Sequence, residues 1–177
     1  LQCREVRLPA GPGVLVLDPG EGMAPQRPKG VCHQRRAECE EAARLLGVRS
    51  LREVEHLEPI ESLPDPLRRR ARHVFTENAR VLRASSIVDA QALGELMNAS
   101  HASQRDDYEI TTPEADLMVE LLQQQPGVHG ARLTGGGLGD ACVALCEAQA
   151  VQQVAREVLA LYRRRRPHAR VLVPGAP

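Results

Sequence analysis

The sequence predicts an α+β fold, an antiparallel sheet backed by helices, and three observations predict it. Residues 128–133 and 141–147 read as strands, and the glycine-rich stretch between them is too short for the helical crossover that a parallel pair needs. Helical patterns follow one another from residue 33 to residue 125 with no strand between them, so the alternation that builds a doubly wound sheet is missing. Finally, 177 residues with 42% hydrophobic and only 2% aromatic side chains bury one full domain's core, made of Leu, Val and Ala.

Taken in order, residues 6–8 and 14–17 are expected to be short strands around the turn Pro9-Ala10-Gly11-Pro12-Gly13. Residues 19–30 carry three Pro and three Gly and read as loop. A helix is expected over residues 33–46, with Gly47 as its C-terminal cap. Ser50-Leu51-Arg52-Glu53 is a capping box opening another short helix, and residues 57–66 form a connection punctuated by proline. Leu67, Ala71, Val74, Asn78, Val81 and Ser85 recur at three or four residues, widened by Phe75 and Leu82, which predicts a long amphipathic helix.

Asp89 caps the next predicted helix, which turns Leu93, Leu96 and Met97 inward. Thr111-Thr112-Pro113-Glu114 combines a Thr-x-x-Glu box with Pro in the first turn, and that helix ends before Pro126-Gly127. After the two strands and their loop, Val151, Val154, Val158 and Leu161 mark a last helix and residues 170–173 a last strand.

Composition excludes several functions. The formal net charge is zero, so no global pull toward DNA or an anionic membrane is expected. With Phe75, Tyr108 and Tyr162 as the aromatic residues, platforms for stacking bases are nearly absent, and no nucleic-acid partner is expected. The longest aliphatic run near the start, Val14-Leu15-Val16-Leu17, is far too short for a membrane span. The five cysteines show no C-x-x-C spacing; Cys32, His33 and Cys39 lack an evident fourth ligand, so no metal site is expected, and the scatter of thiols suits a cytoplasmic protein. Leu1 stands where an initiator Met would, directly before strand-like sequence, and the expectation is the middle of a longer protein. His101, followed by Arg105-Asp106-Asp107-Tyr108, invites an acid–base reading, but these polar groups are expected to fix a helix end, with Tyr108's ring buried and its hydroxyl paired. Arg35 and Arg36 read as a solvated helix start with one residue facing a cleft. Cys142, Ala144 and Cys146 share one side of a strand and read as core.

One stretch carries chemistry. Arg132-Leu133-Thr134-Gly135-Gly136-Gly137-Leu138-Gly139-Asp140-Ala141-Cys142-Val143 places a glycine loop between two strands, where backbone is free to turn tightly and to approach a ligand. Residues 96–145, "LMNASHASQRDDYEITTPEADLMVELLQQQPGVHGARLTGGGLGDACVAL", closely resemble the C-terminal part of galactokinases, members of the superfamily that also holds homoserine, mevalonate and phosphomevalonate kinases (GHMP kinases). The resemblance extends upstream through "RRAECEEAARLLGV", "SLREVE" and "RRARHVFTENARVL", and covers residues 1 to about 151.

That resemblance implies a two-lobed kinase that transfers the γ-phosphoryl of MgATP to the anomeric hydroxyl of α-D-galactose. It implies a ferredoxin-like C-terminal lobe over residues 31–177, with residues 1–30 completing the N-terminal lobe. Thr134, Gly135, Gly136, Gly137, Leu138 and Gly139 correspond to the superfamily's third motif, a nucleotide-site loop packed beside the phosphate-binding loop. The family's sugar-binding Gly-Glu-His-x-Asp, its Pro-x-Gly-x-Gly-x-Ser-Ser-Ser phosphate loop and its Asp base do not occur here, so no catalytic or metal-binding residue is assigned and the chain alone is expected to be inactive. Two positions depart from the pattern. Leu138-Gly139-Asp140 stands where the family has aromatic-glycine-glycine, which puts a carboxylate near the expected phosphates. Cys32 stands where the family has a sugar-contacting Tyr, which leaves the sugar open. These departures carry the alternatives: a non-catalytic sugar sensor or scaffold, or a kinase for a related sugar such as N-acetylgalactosamine.

Overall fold

The computed structural model describes Val6, residues 9–20 and residues 30–173. Their elements run β1 (Pro12–Asp18), α1 (Val31–Leu45), α2 (Glu58–Glu61), α3 (Leu67–Ala84), α4 (Ala90–Asp106), α5 (Pro113–Gln123), β2 (Val128–Leu133), β3 (Cys142–Glu147), α6 (Val151–Tyr162) and β4 (Arg170–Val173). Short 3₁₀ turns lie at Leu51–Glu53 and Ala148–Ala150. The strands form one antiparallel sheet in the order β2-β3-β1-β4. The predicted class therefore holds, and β2 and β3 pair antiparallel across the glycine loop, Leu133 opposite Cys142.

The expected first hairpin is not what β1 forms. Val6 lies outside any strand and residues 7 and 8 lie outside the described residues. β1 instead sits inside the sheet, bonded to β3 on one edge and β4 on the other. Leu15 and Leu17 are fully buried there; residues 142–147 pair one edge over Pro12–Leu17 and residues 170–173 pair the other over Val16–Asp18. A cut at residue 30 would remove this interior strand.

The helix ends follow local chemistry. α1 closes in a Schellman arrangement: Val48 N–H donates to Ala43 O and Gly47 N–H to Arg44 O, with Gly47 at a φ of 69°. Asp89 accepts from Ala92 N–H at the start of α4, as predicted. The cap of α5 is Thr112, which accepts from Ala115 N–H, rather than the Thr111 of the expected box. Pro113 explains the shift, since the residue before a proline is driven to the extended conformation that a cap needs. Ser50 does accept from Arg52 N–H, but only a 3₁₀ turn follows.

One sheet face carries Leu15, Leu17, Ala131, Leu133, Cys142, Ala144 and Cys146, packed against α5 and α6 in the main core. Burial pushes the Cys146 thiol up to about 11, as befits a space-filling group. Leu161 does not belong to this core; it is 42% exposed, whereas Tyr162 beside it is fully buried, its hydroxyl donating to Glu114 O. A second cluster joins α1, α2 and α3 through Ala42, Ile60, Leu63 and Ala71. The far end of the predicted α3 stripe stays open, with Val81 and Leu82 exposed.

α4 lies against β2, the edge strand, and meets it through backbone. Gly94 and Gly130 face each other so closely that a Cβ on Gly130 would stand 2.0 Å from Gly94 O. Asn98 Oδ1 accepts from Ala131 N–H at 2.9 Å and His101 Nδ1 from Leu133 N–H at 3.2 Å, so α4 caps donors that an open sheet edge would leave free. Leu93, Leu96 and Met97 are consequently only half-buried, and Gly94, Ser100 and His101 make the contact instead.

Candidate functional site

The glycine loop is built from three closures. Thr134 N–H donates to Ala141 O at 2.8 Å and shuts its base. Leu138 N–H donates to Ile110 O at 2.7 Å and ties its far side to the turn that follows α4. Gly136 N–H donates to the Asp140 carboxylate, which folds back under the loop. Left-handed backbone occurs at Gly135, Gly137, Leu138 and Gly139, with φ of 88°, 85°, 55° and 92°. Leu138 is the costly one, because a branched side chain rarely adopts that region.

The three glycines are not equivalent. A Cβ on Gly137 would stand 2.8 Å from Ile110 O, in a conformation already hostile to side chains. Gly136 has ordinary backbone and only the Asp140 carboxylate within reach, at 3.2 Å. Gly137→Ala is therefore expected to destabilise the chain by roughly 2–3 kcal/mol, and Gly136→Ala by less than about 1 kcal/mol. Urea melts of the two variants check this ordering.

The structure brings Cys32 to this loop. It lies in the first turn of α1 and its thiol points at Gly136 O, 3.9 Å away. Beside the loop, Thr134, Gly135, Gly139, Asp140 and Ala141 border a hollow of about 430 Å³ that is closed by Asp18 and Leu172. Neither of the last two was signalled by the sequence, since only the pairing of β1 with β4 carries them there. An apolar groove of about 280 Å³, bordered by Val14, Val81, Leu93, Met97 and Leu145, contains none of the expected site residues.

Two readings of single residues change. Arg35 does not face a cleft; it is buried and bonds Tyr108 O at 2.6 Å, Glu109 O at 3.3 Å and Glu38 at 2.9 Å. Asp140 turns into the loop and shapes it. The expected polar turn holds for Asp107 and Tyr108, whose N–H groups bond Ser103 O, but His101 serves the sheet rather than the helix end. His101 is buried as an edge cap, with Nδ1 accepting from Leu133 N–H and Nε2 facing Asp116 at 3.3 Å. Tyr108 stacks its ring on His73, and its hydroxyl accepts from the Cys39 thiol at 3.9 Å; burial and the neighbouring Cys39 push the phenol up to about 12. Tyr108 is thus no acid or base near neutral pH.

The N–H groups of Gly135, Gly137 and Gly139 have no acceptor among the described residues. Gly135 and Gly139 border the hollow while Gly137 is buried against Ile110, and the loop holds one carboxylate beneath itself. Among the described residues no group of three or more His, Cys, Asp or Glu is arranged to hold a metal ion. No helix among them is long and apolar enough to cross a membrane.

Comparison with known proteins gives this geometry its context. The family described as GHMP kinases C terminal matches residues 83–164. The chain is 39% identical over 178 residues to a galactokinase of Mannheimia succiniciproducens, covering 93% of the chain and 46% of that protein. It is 47% identical over 131 residues to the galactokinase of Homo sapiens, covering 70% of the chain and 33% of that protein. The solved structure of Lactococcus lactis galactokinase complexed with galactose superposes with a TM-score of 0.81 at 30% identity, over 94% of the chain and 45% of that enzyme. Methanococcus jannaschii mevalonate kinase shares the fold at 18% identity and a TM-score of 0.52. The chain spans less than half the length of the curated galactokinases it matches. Over that span the chain belongs to the galactokinase family of GHMP kinases, as their C-terminal region.

Proposed function

We propose that the chain serves a galactokinase-type sugar kinase, which passes the γ-phosphoryl of MgATP to the anomeric hydroxyl of galactose. Residues 134–139 supply one wall of the nucleotide site. The observation that carries this is the loop itself: Gly135 and Gly139, on left-handed backbone that glycine adopts easily and with N–H groups that have no acceptor among the described residues, border the hollow. Phosphoryl transfer depends mostly on positioning and charge stabilisation. A wall of backbone donors would suit that need, and the carboxylate of Asp140 makes this the flank of a phosphate site rather than its cradle. Residues outside this set would hold Mg²⁺ and take the sugar's proton. Cys32, Cys39 and Cys146 form no disulfide among the described residues, in keeping with a reducing cytoplasm.

The chain alone should therefore show no ATP-dependent phosphorylation of galactose. Joined to the N-terminal half of the Mannheimia galactokinase, it should restore turnover in a coupled ADP-release assay. Turnover by the chain alone, or none from a folded fusion, would count against this reading. Cys32 favours a second reading of the substrate. Its thiol sits beside Gly136; the resemblance puts a phenol ring at this position, and a smaller side chain there would suit a sugar with a larger substituent. The same fusion assayed with N-acetylgalactosamine separates the two sugars.

Asp140 sharpens the nucleotide assignment. A carboxylate about 7 Å from a phosphate repels each charge by roughly 0.6–2.4 kcal/mol at effective dielectrics of 80 to 20. Because the same carboxylate holds Gly136 N–H, removing its charge and removing its bond are different experiments. Asp140→Asn keeps an acceptor and should tighten MgATP binding in the fusion by up to roughly tenfold. Asp140→Gly loses the tether too, and should gain less or bind more weakly. Titration calorimetry with MgATP reads both; weaker binding in Asp140→Asn would show the charge to be useful.

A further inference from the structure

We propose that Arg35, Arg69 and Arg70 are positioning residues for the glycine loop, acting through the turn at residues 106–110 without touching the loop. Four successive carbonyls of that turn are held by these three guanidinium groups. Arg69 donates to Asp106 O at 3.3 Å, Arg70 to Asp107 O at 2.6 Å, and Arg35 to Tyr108 O at 2.6 Å and Glu109 O at 3.3 Å. The next carbonyl, Ile110 O, is the one that accepts Leu138 N–H and against which Gly137 is packed. The lattice therefore ends, one residue on, in the bond that places the loop.

The turn is fixed from its other side as well. Asp107 and Tyr108 N–H both donate to Ser103 O, and Ile110 N–H donates to Gln104 O. Glu109 holds a left-handed φ of 52°, which a non-glycine residue keeps only when its surroundings demand it. Its carboxylate is bonded by Arg69 and, at 2.6 Å, by Arg70. Those bonds, Arg69's first, hold its pKa below the usual carboxylate range, so it stays charged. Arg70 also bonds Glu38 at 2.7 Å, and its side chain is only 3% exposed.

Arginine suits this task for two reasons. Its planar fork presents several donors at fixed angles, so Arg35 grips two carbonyls and Glu38 at once. The turn also closes the C-terminal end of α4, where the helix dipole favours positive charge. Three cations brought there by α1 and α3 make the turn a rigid bracket between the helical half of the chain and the loop. The nucleotide part of the inference rests on the proposed function; the geometric part does not.

The test is amide exchange followed by NMR on the whole chain. Glu109→Gln and Arg35→Lys are each expected to raise exchange at Leu138 and Gly136 at least tenfold, and to move the Leu138 amide proton upfield as its bond to Ile110 lengthens. Amides of Ala131 and Ala144 should change less than twofold. Arg36→Lys, on the exposed side of α1, should change none of them. Glu109 is partly exposed, so its variant keeps the comparison open if Arg35→Lys fails to fold. Unchanged exchange at Leu138, or an equal rise at Leu138, Ala131 and Ala144, overturns the proposal by showing no coupling or only global destabilisation. MgADP added to the fusion with the Mannheimia N-terminal half decides the other matter separately. If it shifts no loop amide, the nucleotide reading fails while the exchange comparison still stands on its own.

Discussion

Gly130→Val should lower stability by roughly 4 kcal/mol or more, enough to shift a thermal midpoint on the order of 10 °C in a chain of this size. The cause is backbone meeting backbone. A Cβ at residue 130 would stand 2.0 Å from Gly94 O, and one at residue 94 would stand 2.1 Å from His129 O. Neither neighbour is the tip of a flexible side chain, so α4 as a whole must move. Moving it also withdraws Asn98 and His101 from the N–H groups of Ala131 and Leu133, which leaves buried donors unpaired at about 1–3 kcal/mol each. Gly47→Ala serves as the control. That residue has left-handed backbone but no atom within 4 Å of its would-be Cβ, so only a conformational cost of about 1 kcal/mol applies. Paired thermal and urea melts decide it. Near-equal losses in the two variants would mean that α4 shifts cheaply and that the helix–strand contact is no constraint.

Much of this architecture was legible in the sequence, for identifiable reasons. β2 and β4 occupy the residues expected, because Pro126-Gly127 and the glycine loop bound the one and the arginine-rich helix end precedes the other. Helices announced by local caps, such as Asp89, begin where the cap says. Apart from the boxes at Ser50 and Thr111, what failed was long-range. Nothing within residues 14–17 shows that their partners lie at residues 142–147 and 170–173, so a local hairpin was the natural expectation. Arg35 looks like any charged residue at a helix start, because its acceptors are carbonyls on a turn far along the chain. Leu161 and Tyr162 exchanged roles because a spacing of three or four residues fits either of them, and only the sheet decides which side is inward. Asp140 is different: an acidic side chain bonding an N–H four residues before it is a local event, and its short polar side chain in a glycine loop was a readable sign.

The second large effect concerns acid. His73 is buried between α3 and α4, stacked on Tyr108 with ring centroids 4.4 Å apart, and Nδ1 lies 2.9 Å from Ser103 Oγ. Ser103 donates its hydroxyl proton to Asp107, so it accepts from an Nδ1–H of His73 and the neutral ring is the one that fits. Burial lowers the pKa of His73 to about 4; Glu77 and Asp107 pull it upward while Arg80 and Arg132 push it down. The unfolded chain, with an ordinary histidine near 6.5, binds more protons than the folded one between those values. Stability contributed by the neutral ring is thus complete above about pH 6.5 and falls as pH drops toward about 4, by about 3 kcal/mol. The carboxylates act in a lower window. Burial opposes the charge of Glu38 and Glu77, but bonds from Arg70 and from Ser100 and Arg80 outweigh it, and both pKa values lie below the ordinary range. Their contribution, with that of Glu109, is full above the ordinary carboxylate pKa and is lost as pH falls through the lowered values. Loss between pH 6.5 and 5 therefore belongs to histidine rather than to these acids. His73→Phe keeps a ring on Tyr108 but cannot take a proton, so its stability should be nearly flat over that window while the wild type falls. Urea melts at half-unit pH steps measure both slopes, and a wild-type slope that survives in His73→Phe would place the proton uptake elsewhere.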